Sequence, residues 1–186
     1  MGDGSCLRLR PEQANHVWSY DFVSATTHDG RTLRMLTRID EYTRECLAME
    51  VDQGIGGEKV AGVLGRITME RRTPKTIRVD NGPEFVSKVL DPWAYRNGVK
   101  LDFSRPGKPT DNAYVESFNG SLRYESLKVN WFLSLEDARG KIEAWRRHYN
   151  ESRPHRALGE RTPNEFAKEI SASRDFLGLQ TTENSP

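Results

Sequence analysis

Three strand-like stretches follow one another before residue 52, and only after them does the hydrophobic period change. Val17 to Val23 is β-branched and aromatic with partial alternation, and Leu33 to Ile39 resumes the pattern after the turn residues Thr26-Thr27-His28-Asp29-Gly30. Glu45 to Val51 follows across the polar connector Asp40-Glu41-Tyr42-Thr43-Arg44. Connections this short suit an antiparallel meander, since parallel neighbours need a long crossover. From 57 to 72 the apolar residues Val60, Val63, Leu64 and Ile67 recur at helical spacing.

Thr76-Ile77-Arg78-Val79 is a short strand that delivers Asp80 to its end, and Asn81-Gly82-Pro83 breaks it. Glu84 to Asn97 reads as a second helix ending near Gly98, and Val99 to Phe103 as a fifth strand. Ser104 to Pro109 must be loop. Thr110 or Asp111 is placed to cap the next helix, on which Val115, Phe118 and Leu122 share one face while Asn112, Glu116, Asn119 and Arg123 form a polar stripe. Gly120 weakens that helix. A further helix is expected from Ser134 to Tyr149, and 171–186 reads as a frayed polar tail.

The order predicts an α/β fold: a mixed five-stranded sheet, its first three strands antiparallel, with helices on both faces. Asp21 then lies on a central strand and Asp80 at the end of its neighbour. Ligands in open α/β sheets collect beyond strand ends, so both acids point to one crevice.

At 186 residues the chain suits one domain with appendages. Its net charge of +1 does not by itself argue for a nucleic-acid partner. The distribution is uneven: residues 1–54 hold 6 Lys/Arg against 9 Asp/Glu, and residues 55–161 hold 20 against 14. Cys6 and Cys46 are lone, and His16, His28, His148 and His155 do not fall at zinc-ligand intervals. No apolar run approaches the roughly 18 residues of a membrane span and the first residues form no secretory signal, so no membrane partner and a reducing cytoplasm are expected.

Glu116 follows Asp80 after 35 intervening residues, and Asp21 closes the stretch Val17-Trp18-Ser19-Tyr20. Taken singly, each acid has a plain structural explanation: a strand-end hydrogen bonder, a turn residue, a solvated helical carboxylate. Brought together, three carboxylates repel unless cations neutralise them, and pairs of Mg²⁺ or Mn²⁺ serve that purpose in phosphodiester chemistry.

Four segments carry a family resemblance: Trp18-Ser19-Tyr20-Asp21-Phe22; Asp80-Asn81-Gly82-Pro83-Glu84-Phe85; the run from Arg105 to Asn119; and Tyr149-Asn150-Glu151-Ser152-Arg153-Pro154-His155-Arg156-Ala157-Leu158. With them the chain resembles the DDE recombinases, the transposases and integrases of the retroviral-integrase type. It is most similar to the catalytic frame of bacterial insertion sequences with two overlapping reading frames. The resemblance spans about residues 15–167, leaving 1–14 as an N-terminal linker and 168–186 as a polar tail. It implies an RNase H-like fold in which Asp21, Asp80 and Glu116 are catalytic and hold two Mg²⁺ ions, with Mn²⁺ substituting.

The implied activity is metal-dependent DNA cleavage followed by attack of a freed 3′-hydroxyl on a second DNA site. The implied partners are DNA, as element ends and target, and further copies of the chain assembled on it. Lys108, Asn112, Asn119 and Arg123 are the candidate DNA contacts, with Arg146-Arg147-His148 and Arg153 to Arg156 as weaker ones. Family members carry or acquire an N-terminal helix-turn-helix region, whereas about fifteen residues precede the first strand here. End recognition is therefore expected from such a region or from a partner frame. The alternatives are a catalytically silent transposase remnant that binds DNA or a partner, and a related RNase H-like nuclease without strand transfer.

Overall fold

The computed structural model describes residues 9–80, 89–104 and 112–182, with side chains as far as residue 173. Five strands form one mixed sheet: β1 (Val17–Thr26), β2 (Thr32–Asp40), β3 (Cys46–Asp52), β4 (Thr76–Val79) and β5 (Lys100–Phe103), in the spatial order β3-β2-β1-β4-β5. The first three pair antiparallel; β4 is parallel to β1, and β5 to β4. The expected sheet is the observed one, with β1 at its centre.

Alternation along the strands sorts the helices. Trp18 and Tyr20 of β1, Leu36 of β2, and Ile77 and Val79 of β4 pack against α1 (Gly57–Glu70) and α2 (Leu90–Arg96). The opposite face, with Val23, Leu33, Met35 and Ile39, packs against α3 (Ala113–Leu122) and α4 (Leu135–Ser152). Because the side-chain period in a strand is two, Asp21 shares the face of Val23 and looks toward α3.

The helix ends follow local chemistry. Asn97 and Gly98 close α2: Gly98 has φ +64°, its N–H donates to Tyr95 O at 3.2 Å, and Val99 N–H donates to Ala94 O at 2.9 Å. This paired closure needs a left-handed residue, which glycine supplies. Ser134 caps α4, its hydroxyl accepting from Asp137 N–H at 3.1 Å. Asn150, near the other end of α4, completes the irregular edge of β3: its Oδ1 accepts from Cys46 N–H at 2.8 Å and its Nδ2 donates to Cys46 O at 2.9 Å. The amide stands in for a neighbouring strand where the β2–β3 register shifts.

Some expectations are corrected, and others fall outside the described residues. Thr110 and Asp111 lie outside the described residues; the residue preceding α3 is Asn112, whose side chain makes no capping bond. Past Gly120, α3 holds to Leu122 and then widens into a π-helical turn, Arg123–Leu127. The polar tail expected from residue 171 is helical through Thr182, as part of α5 (Pro163–Thr182). The expected start of α2 at Glu84 lies outside the described residues, and the helix is described from Leu90.

One core residue departs from ordinary chemistry. Arg38 is fully buried, its guanidinium 4.5 Å from the centroid of the Tyr20 ring, and its three nitrogens have no hydrogen-bond partner among the described residues. Burial lowers its pKa below the usual arginine value, partly offset by the field of Tyr20. Attraction to the aromatic face is the compensation the structure offers for a cation otherwise costly to bury.

Candidate active site

The parallel ladder between β1 and β4 pairs Val17 with Thr76, Trp18 with Ile77 and Ser19 with Arg78. Carried two residues further, the same register sets Asp21 level with Asp80, and alternation turns both toward the α3 side. A buried polar network holds that register. Ser19 Oγ donates to Glu41, and Arg78 Nη1 reaches both Glu41 oxygens at 3.0 and 2.7 Å, with Arg78 Nε 3.2 Å from Asp102. Ser19, Glu41 and Arg78 are all buried, so the network is sheltered from water.

Helix α3 brings the third carboxylate. Asn112, Glu116 and Asn119 are spaced by four and three residues and share one face. At one end Asn112 Nδ2 donates to Tyr20 O at 3.2 Å; at the other Asn119 Nδ2 donates to Asp21 Oδ2 at 2.8 Å. Both asparagines are buried, and the exposed Glu116 lies between them on the helix. Two contacts, two turns apart, thus clamp α3 across β1. The apolar face formed by Val115, Phe118 and Leu122 anchors the same helix to the sheet.

The acids act on one another. Asp21 is held above the ordinary carboxylate range, first by burial, with repulsion from Asp80 adding; the Phe22 N–H at 2.7 Å, the Asn119 amide and the field of Arg123 pull the other way. Glu116 is also raised, first by desolvation and then by the charges of Asp21 and Asp80. Like charges held in range of one another form an electrostatic well for a cation, and an all-oxygen carboxylate set suits a hard ion such as Mg²⁺ or Mn²⁺. Among the described residues no three His, Cys, Asp or Glu side chains are grouped closely enough to hold an ion.

The other sequence candidates divide. Asn112 and Asn119 direct their amide N–H groups into the scaffold. Arg123 is exposed and within electrostatic range of Asp21, at the start of the π-helical turn. Lys108 lies outside the described residues. Arg146 and Arg147 are engaged by Glu143 at 2.7 and 3.1 Å, and Arg146 also donates to Cys46 O at 3.0 Å, so Arg146 braces α4 against β3 while the Arg147 bond stays within α4. Sequence reasoning missed the buried Ser19, Glu41 and Arg78 network; Glu41 sat in a stretch that read as a polar connector.

A mixed sheet with an acid on its central strand, one at the end of the parallel neighbour and one on a helix clamped across them defines the class of polynucleotidyl-transferase cores. Comparison with known proteins agrees. The chain matches the family described as Integrase core domain over residues 11–109, and a second family with the same description over residues 97–163. It belongs to the integrase core domain family, as a transposase/integrase core of the DDE type with an RNase H-like fold.

Over 165 residues it is 49% identical to the uncharacterized 31.7 kDa protein of insertion element IS407 from Burkholderia multivorans, covering 89% of this chain and 60% of that protein. It is 43% identical over 159 residues to the uncharacterized 39.2 kDa protein of IS476 from Xanthomonas euvesicatoria, covering 86% of this chain and 46% of that protein. The chain therefore spans roughly half the length of these relatives. Among solved structures, the HTLV-2 integrase catalytic core domain in complex with magnesium superposes with a TM-score of 0.66 at 18% identity, covering 85% of this chain and 99% of that one. At that identity the likeness speaks for the fold. No helix among the described residues is long and apolar enough to cross a membrane.

Proposed function

We propose that this chain is the catalytic core of an insertion-sequence transposase, cleaving DNA and joining the freed 3′-hydroxyl to a second DNA site. Asp21, Asp80 and Glu116 are its metal-holding catalytic residues. The observation that carries this reading is that Asp80 raises Asp21 and that both raise Glu116, with Asn119 fixing Asp21. When bound, two Mg²⁺ ions, or Mn²⁺ in their place, lower the pKa of the attacking hydroxyl and stabilise charge on the leaving 3′-oxygen.

The chain's own contribution is placement. Asn119 holds Asp21 Oδ2 at 2.8 Å and the Phe22 N–H holds Oδ1 at 2.7 Å, each leaving its oxygen a further lone pair for a ligand, while the β1–β4 register supports Asp80 level with Asp21 and the clamped helix carries Glu116. Displacement in line at phosphorus forms the bond to water or to a 3′-hydroxyl as the bond to the departing 3′-oxygen breaks, with the nucleophile's proton passing to solvent. Arg123 and Lys108 neutralise strand phosphates near the acids, whereas Asn112 and Asn119 act as positioning residues.

The working core is residues 15–167, acting in the cytoplasm or nucleoid as an oligomer assembled on DNA. Recognition of the element end comes from a helix-turn-helix region or a partner frame. The test is metal-dependent cleavage of end-containing duplexes and reversal of strand transfer on branched DNA. Cleavage without any joining would favour a nuclease, and DNA binding without either would favour a silent remnant.

A further inference from the structure

On the side of α3 turned away from Glu116 lies a cavity of about 400 Å³ that the catalytic reading leaves unused. Tyr114, Ser117 and Ser121 line it from α3, at a helical spacing distinct from that of Asn112, Glu116 and Asn119. Arg44 enters from the β2–β3 turn, while His155 and Arg156 enter from the segment after α4. The pocket thus gathers residues from three separated parts of the chain.

Its charge is one-sided. Arg44 and Arg156 form no ion pair among the described residues. Arg153, at the rim, is paired with Glu125 at 2.6 Å. Glu41 feels Arg44, but its carboxylate is already held by Ser19 and Arg78. Nε2 of His155 is buried and has no hydrogen-bond partner among the described residues, and the ring stands edge-on to Tyr149 at 4.9 Å. Arg44 holds φ +63°, a conformation unusual for arginine, and its guanidinium lies 3.7 Å from the centroid of the Tyr114 ring. With that ring face covered, Tyr114 offers little platform for a base, while the guanidinium edges remain as donors.

Two unpaired guanidinium groups, two serine hydroxyls and an unsatisfied imidazole nitrogen describe a receptor for phosphate oxygens, for which planar arginine donors are well matched. We propose that this pocket holds a backbone phosphate of DNA on the far side of the catalytic helix from Glu116, giving the core a second grip on its substrate. The inference rests on the proposed DNA-processing function.

The test is fluorescence anisotropy with a fluorescein-labelled 30-base-pair duplex across a NaCl series, using the wild type and Arg44→Asn/Arg156→Gln. Asparagine is chosen because it accepts the left-handed backbone at position 44. The double variant is expected to bind about tenfold more weakly near 0.1 M salt, with a log–log salt slope shallower by about 1, because losing the one phosphate contact of the pocket removes about one unit. Ser117→Glu, which puts a carboxylate at the rim without touching either arginine, should weaken binding in the same direction. Its unchanged binding, or an unchanged affinity and slope in the double variant, overturns the inference while leaving the catalytic reading intact. A wild type that binds no DNA overturns both. Deoxythymidine monophosphate competes only weakly if the ligand is a strand; saturation by the mononucleotide with no effect on duplex binding would reassign the pocket to a free nucleotide and overturn the DNA assignment.

Discussion

Asn119 Nδ2 donates a 2.8 Å hydrogen bond to Asp21 Oδ2, tying the helix that carries Glu116 to the central strand across 98 positions of sequence. The bond orients one acid and places another. Asn119→Leu keeps the side-chain volume and removes the donor, so the fold should survive while metal-dependent cleavage falls by about 10- to 100-fold, the usual cost of losing a group that orients a metal ligand. Weaker Mg²⁺ affinity in a titration should accompany the loss. An unchanged rate with unchanged affinity would reduce Asn119 to a packing residue.

Beneath the site, Glu41 holds Arg78 from a fully sheltered position, their side chains 0% and 5% exposed. Glu41→Gln should cost about 3 kcal/mol in urea unfolding, because it leaves a buried guanidinium short of its counter-charge. A cost below about 0.5 kcal/mol would mean that Asp102 and the Leu9 carbonyl suffice to hold Arg78.

The buried, unpartnered Arg38 carries the opposite sign. Arg38→Met retains an unbranched chain of similar reach and removes a buried charge whose guanidinium has no hydrogen-bond partner among the described residues, so thermal unfolding should move to higher temperature, by about 1–3 kcal/mol in equivalent stability. Destabilisation of that size would show that the cation–π contact outweighs the desolvation.

Metal and pH are linked through the acids. Folded pKa values of Asp21 and Glu116 lie above their ordinary ones, so the stability these groups contribute is present below about pH 4 and lost as pH rises through the raised values. On the proposed function, Mg²⁺ would offset that loss by binding the charged form. The metal-induced rise in unfolding temperature should therefore be near zero at acid pH and grow toward neutrality, reaching about 1.4 kcal/mol at ten times Kd. Asp21→Asn should raise metal-free stability near pH 7 and blunt the metal response; an equal response in the variant would place the ion elsewhere.

Much of this site was legible in the chain, for reasons that differ by residue. The strand around Asp21, the short strand that ends before Asp80 and the helical stripe Asn112, Glu116 and Asn119 are local patterns, and a sheet with β1 at its centre follows from their order. The amide exchange of Asn150 with Cys46 spans 104 positions, and the Glu41–Arg78 pair spans 37. No local period reports such contacts. The π-helical turn at Arg123 also escaped notice, because Gly120 signalled weakness in the helix without saying where its geometry would change. Helix α5, Pro163–Thr182, was missed as a whole because that stretch lacks a sustained apolar face on which a helix could be read.

The central claim is that Asp21, Asp80 and Glu116 together hold the metal that activates DNA chemistry. Mg²⁺- or Mn²⁺-dependent turnover of branched DNA should be compared for the wild type, Asp21→Asn, Asp80→Asn and Glu116→Gln, each checked for folding by circular dichroism. The account predicts that every one of the three folded variants loses metal-dependent turnover while still binding DNA; full activity in any one of them would contradict it.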